Sequence, residues 1–144
     1  MRISVVLILV VIVASCGQAQ VGRLQEPSEE VAAVNAAAAA FLSDAHSFDY
    51  AALRANATSD FEILEFGQRL DLDGFIERLG EMERSRDGRA LNNYELQDLN
   101  TEIVGNVAYT TWTSPNWLES AIFVRSEGRW LIDRAASVRV ERNP

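Results

Sequence analysis

Apolar and polar residues follow one another along this chain in three successive rhythms, and each predicts a different kind of element. The stretch ISVVLILVVIVA, Ile3 to Ala14, is uncharged throughout. It is too short for a bilayer-spanning helix and has the length of a signal-peptide apolar region. Further on, apolar positions recur every three to four residues. Val31, Val34, Ala38, Phe41, Leu42 and Ala45 make one helical stripe behind Ser28, a capping residue followed by Glu29 and Glu30. Asp49 to Leu53 predicts a second, short helix. Asp71 predicts the cap of a third, with Leu72, Phe75, Ile76, Leu79 and Met82 on one face. Between the second and third, Phe61 to Phe66 predicts a strand closed by Gly67. Ser85 to Arg89 reads as a charged loop.

From Asn92 the period falls toward two. Tyr94 and Leu96 alternate up to an expected bulge before Leu99, and Gly105-Asn106 is a tight-turn signal. Val107 to Thr113 is rich in β-branched and aromatic residues, as strands are. After an interruption at Ser114 to Asn116, a strand is expected from Ala121 to Arg125. Glu127-Gly128-Arg129 then turns the chain into a last long strand, Trp130 to Val140. This order predicts an α+β domain in which three N-terminal helices cover one face of a curved antiparallel sheet. A curved sheet closed by helices leaves a conical cavity, the natural place for a ligand or for chemistry.

The N-terminal run ends in Val13-Ala14-Ser15-Cys16. An aliphatic residue, two small residues and a cysteine resemble the lipobox of bacterial lipoproteins. That resemblance implies a lipid on the Cys16 sulfur and cleavage before Cys16. The expected organisation is a signal peptide over 1–15, a lipidated cysteine and tether over 16–27, and a domain over 28–144. The localisation it implies is export and anchoring to the cell envelope, with Gly17 after the cysteine favouring the outer membrane of a Gram-negative cell, on its periplasmic side. Cys16 is the only cysteine, so no disulfide can form within the chain.

Composition narrows the function classes. Loss of 1–15 leaves 129 residues, enough for one domain with a real core. The formal charge of −8 argues against nucleic acid and against a basic patch for anionic lipid. All thirteen basic side chains are Arg, which excludes Schiff-base and lysine-base chemistry. One histidine, His46, leaves no histidine pair for a metal site. Near the end of the first helix, its expected role is capping or solvation.

The stretch from Val31 to Val140 resembles the nuclear transport factor 2-like superfamily, in its SnoaL-like branch of small bacterial domains. The residues that carry the likeness are the first helix ending in Phe41-Leu42, then Phe48 to Leu53, Phe61 to Gly67, Val104 to Ala108, and the hairpin Gly128-Arg129-Trp130-Leu131-Ile132. The resemblance implies a cystatin-like cone of antiparallel strands with three helices, often dimeric. It implies no single activity, because one fold hosts many functions. Relatives in this branch commonly carry a histidine six residues after the hairpin tryptophan and a serine two later. Here those positions hold Ala136 and Val138.

No catalytic residue, cofactor or metal is therefore assigned. The expected function is binding of a small amphipathic ligand or partner segment in the cone. An isomerase- or dehydratase-like enzyme with a carboxylate base, and a dimeric assembly module, are the alternatives. Candidate ligand contacts are Tyr50, Glu62, Trp112, Trp117 and Arg134. Alternation turns one of Glu62 and Glu65 outward. Arg134 shares strand parity with Trp130, Ile132 and Ala136; it either enters the cone or is released to solvent by a bulge. Trp117 is expected in a loop at the cone mouth, with Pro115 and Asn116.

Overall fold

Three short-chain acceptors start the three helices. In the computed structural model, which describes residues 28–86, 91, 96–114 and 116–140, Ser28 Oγ accepts from Val31 N at 3.3 Å and opens α1, Glu29–Ser47. Asp49 accepts from Ala52 N at 3.0 Å and opens α2, Tyr50–Asn56. Asp71 accepts from Gly74 N at 2.8 Å and opens α3, Leu72–Ser85. Each satisfies one of the N–H groups that a helix start leaves without an intrahelical partner. The stop of α1 is less usual. Phe48 takes the left-handed conformation (φ 60°) and its N–H bonds back to Ala45 O, which turns the chain straight into α2. The readings made for 1–27, Tyr94 and Pro115 lie outside the described residues.

Six strands form one sheet: β1 Ala57–Glu65, β2 Gln68–Asp71, β3 Gln97–Val104, β4 Val107–Ser114, β5 Trp117–Ser126 and β6 Arg129–Arg139. Their spatial order is β2-β1-β6-β5-β4-β3, with β1 and β6 parallel and every other pair antiparallel. The α+β architecture matches the expectation, with corrections in detail. The Phe61-to-Phe66 strand starts earlier, at Ala57, and ends at Glu65, with Gly67 in the turn that closes it. Phe66 (φ 49°) and Gly67 (φ 74°) form a two-residue turn with both φ positive, which folds β1 onto the unforeseen strand β2. β5 begins at Trp117, four residues before the expected start. The bulge foreseen before Leu99 is present: register shifts between Gln97 and Asn100, and Asp98 has φ 52°.

α1 and α3 lie on one face of the sheet and bury the stripes read from the sequence. Val34, Ala38, Phe41 and Ala45 of α1 and Phe75 and Leu79 of α3 are buried. Phe41, Phe61 and Phe75 meet with ring centroids 5.5 to 6.1 Å apart, the separation aromatic pairs prefer. Phe61, Phe123 and Ile132 supply the sheet's side of this core, each 1% exposed. Among the described residues no helix is long and apolar enough to cross a membrane.

Candidate functional site

The core does not fill the space between sheet and helices. A cavity of about 870 Å³ opens beyond the phenylalanine cluster, between the second half of α1, α3, and the end of the sheet where β1 finishes and β5 begins. That volume is typical of small-molecule sites. Its walls include Phe41, Phe75, Leu79, Ile132 and Trp112, with Phe66 and Trp117 at the rim.

Strand register sets the polar part of the wall. Trp112 of β4 is paired with Glu119 of β5, Glu119 with Ser137 of β6, and Ser137 with Glu65 of β1. Directly opposed residues share a face, so these four side chains make one row across the inner surface. Trp112 Nε1 donates to Glu119 Oε2 at 2.6 Å, and Ser137 Oγ donates to Glu119 Oε1 at 3.3 Å. Glu119 is only 8% exposed. Burial pushes its carboxyl above the usual range; the two donors oppose that rise, and the charge of Glu65 adds to it. Glu65 is also raised by burial, but it has a cation: Arg78 Nε stands 3.4 Å away and pulls it back. Arg78 also lies over the Phe66 ring, 4.6 Å from its centroid, and Phe66 meets Trp117 edge to face at 5.2 Å.

A bulge in β6 decides who joins this row. Ile122 pairs with Arg134 but Phe123 with Ile132, which leaves Asp133 as the extra residue. Trp130 and Ile132 point inward before it; beyond it the parity flips and Ala135 and Ser137 point inward. Arg134 therefore stands on the outer face, where it contacts Glu62 at 3.5 Å and Asp133 at 3.1 Å and donates to the carbonyl of Asp60. The bulged Asp133 is held by Thr58 Oγ1 at 2.7 Å. Glu62 also lies outside, since Phe61, Ile63 and Glu65 take the inward positions of β1.

The structure thus brings together two of the five residues named from the sequence. Trp112 and Trp117 line the cavity, although Trp117 is the first residue of a strand and not part of a loop. Glu62 and Arg134 line a separate shallow depression on the outside. Tyr50 is a strut between α2 and α3: its hydroxyl donates to Glu83 Oε2 at 2.5 Å, and partial burial together with that carboxylate pushes the phenol up to about 12. Sequence reading missed Glu119, Ser137 and the cavity position of His46, which is among the residues that line this space. The alternation Glu119, Ala121, Phe123 is the signal for Glu119, and it lies partly before the expected start of the strand at Ala121. Among the described residues no cluster of His, Cys, Asp and Glu is arranged to hold a metal ion.

Comparison with known proteins supports the architecture. No family model and no curated protein sequence matches the chain. Solved structures do. A nuclear transport factor 2-like protein from Cytophaga hutchinsonii superposes with a TM-score of 0.65 at 12% identity, over 79% of this chain and 99% of that one. A ketosteroid isomerase-like protein from Erwinia carotovora atroseptica gives 0.62 at 20% identity, over 81% and 100%. A nuclear transport factor 2-like protein of unknown function from a Prochlorococcus strain gives 0.61 at 21%, over 81% and 96%. The chain has the nuclear transport factor 2-like fold: three helices against a curved, mostly antiparallel sheet that does not close on itself.

Proposed function

We propose that this chain is a lipid-anchored envelope protein whose domain holds a small amphipathic molecule in the cone. The observation that carries the binding part is the cavity itself: about 870 Å³, walled by aromatic and aliphatic side chains, with one polar row of Trp112, Glu119, Ser137 and Glu65. A few converging polar groups in an otherwise apolar hollow are the usual make-up of a ligand site. Thermal-shift and tryptophan-fluorescence screening with steroids, aromatic acids, alcohols and amines tests it. A midpoint rise with saturable fluorescence change is expected, since Trp112 and Trp117 line the space. No response across such a panel refutes the binding reading and favours an assembly role.

The anchoring part rests on Ile3 to Ala14 and on Val13-Ala14-Ser15-Cys16. A lipid adds roughly 0.8 kcal/mol per buried methylene, and stable attachment takes at least two chains, which a diacylated cysteine supplies. Labelled palmitate should enter the wild type and not Cys16→Ala; equal labelling sinks the lipoprotein reading. The exposed Tyr109, Leu118, Val138 and Leu64 on the sheet's outer face support self-association, tested by light scattering of the mature domain.

A second reading, an enzyme, is favoured by the two carboxylates on the cavity wall and by the ketosteroid isomerase-like relative. Either acid, raised by burial and set on the cavity wall, is placed to take or give a proton. Isomerisation of an unsaturated ketosteroid by the wild type, abolished in Glu65→Gln or Glu119→Gln, would establish it.

A further inference from the structure

The two cavity carboxylates are not equivalent. Glu65 has the Arg78 guanidinium beside it. Glu119 is more deeply buried, and no ion pair among the described residues reaches it. Its two partners, the Trp112 indole and the Ser137 hydroxyl, are neutral donors. A carboxylate offers about four acceptor positions, so roughly two remain after these bonds. Glu119 is part of the cavity wall. An ionised group buried without a counter-charge is expensive, and a cation brought to it recovers much of that cost.

The rest of the lining has the same electrostatic sense. Among the described residues, the ionisable ones that line the cavity are Glu65 from β1, Glu119 from β5, Glu77, Arg78 and Glu81 from α3, and His46 from α1. Four carboxylates thus face one guanidinium and one imidazole. The guanidinium is already engaged with Glu65 and the Phe66 ring. Glu77 and Glu81 are exposed at the rim, where they attract a cation and repel an anion. The aromatic faces of Phe41, Phe75, Trp112 and Trp117 complete the lining; such rings cover an apolar body and also favour a nearby ammonium.

We propose that the cavity's ligand is a cationic amphiphile, an amine carried on an aromatic or alkyl body, whose ammonium docks against Glu119 while the body lies among Phe41, Phe75 and Trp112. This rests on the reading of the cone as a small-molecule site and narrows it: anionic amphiphiles such as fatty acids and aromatic acids are excluded. The ammonium donates to the acceptor positions that Trp112 and Ser137 leave unused. Arg78 holds Glu65, so Glu119 is the carboxylate that discriminates.

Three ligands of one shape test it: 6-phenylhexylamine, 6-phenylhexan-1-ol and 6-phenylhexanoate, titrated into the mature domain at pH 7.5 with tryptophan fluorescence as the readout. The amine should bind at least tenfold more tightly than the alcohol, with the carboxylate weakest. In Glu119→Gln the amine and alcohol should come within about twofold of each other, while Glu62→Gln on the outer face keeps the tenfold preference. An alcohol or carboxylate that matches or exceeds the amine in the wild type overturns the cationic assignment but leaves the cone a ligand site. Full amine preference in Glu119→Gln overturns the role of Glu119. Failure of all three to bind overturns this proposal, while the binding reading beneath it falls only if the broader panel is silent as well. The wild-type series decides the ligand's charge even if the variant does not fold.

Discussion

The two faces of the same sheet treat the same residue type in opposite ways. Glu62 and Glu65 are three residues apart on β1, yet Glu62 sits outside between Arg134 and Arg69, each 3.5 Å away, while Glu65 turns into the cavity. Glu119 goes further inward and has only neutral donors. Outside, the ionic contacts of Glu62 are half-exposed and screened, and contribute little. Inside, the same carboxyl group is lifted by burial. Nothing in the chemistry of glutamate separates the three. Strand parity and the depth of the helical cover do.

The largest break in this comparison comes from the core. Phe61→Ala, on the inner face, should lower stability by about 3–5 kcal/mol in urea unfolding, the usual cost of emptying a buried aromatic site. Tyr109→Ala, on the outer face and 48% exposed, should cost well under half of that. Similar losses would mean that the outer face is itself buried, as in a tight dimer.

Next comes the donor to Glu119. Trp112→Phe keeps the ring but removes the indole N–H, leaving a buried carboxylate short of a partner at a cost of about 1–3 kcal/mol. The penalty should shrink when the same change is made in Glu119→Gln, and a double-mutant cycle reads the difference.

Glu119→Gln alone should stabilise, by a smaller amount and with a definite pH dependence. The folded protein holds this carboxyl above its unfolded value, so folding favours the protonated form. Its destabilising effect is therefore absent below the ordinary glutamate value of 4.5, grows as pH rises through the raised folded value, and is complete above it. The variant's gain in melting temperature should therefore grow as pH rises and fade toward pH 4. A gain that persists at pH 4 would mean that ionisation is not its source.

The smallest effect belongs to Arg134→Ala. Its ion pairs are part-exposed, so stability should change by no more than about 1 kcal/mol, and ligand affinity should not change at all. A lost ligand would put the guanidinium back at the cavity.

Much of the fold was legible because its signals are local. Ser28, Asp49 and Asp71 cap helices through their own side chains, and the stripes Val34-Ala38-Phe41-Ala45 and Phe75-Leu79 mark which faces are buried. The site was less legible. β2 was missed because Gln68 to Asp71 carries only one apolar residue, Leu70, and gains its place by pairing with β1. Glu119 was missed because Trp117 to Ser120 does not alternate cleanly as a sequence. Trp112 could be named, since a tryptophan in a strand of alternating residues is expected on the covered face.

The caps, the helical faces, the turns at Gly105 and Gly128, and the order of elements that makes an α+β cone are all written locally in the chain. These follow from backbone preferences and from periodicities read a few residues at a time. Which acids enter the cone follows from pairing between distant strands. The Asp133 bulge turns Arg134 outward and Ser137 inward, and the register of β4, β5, β6 and β1 sets Trp112, Glu119, Ser137 and Glu65 in one row. Parity beyond a bulge and partners across strands depend on residues far apart in the chain, and no local pattern carries them.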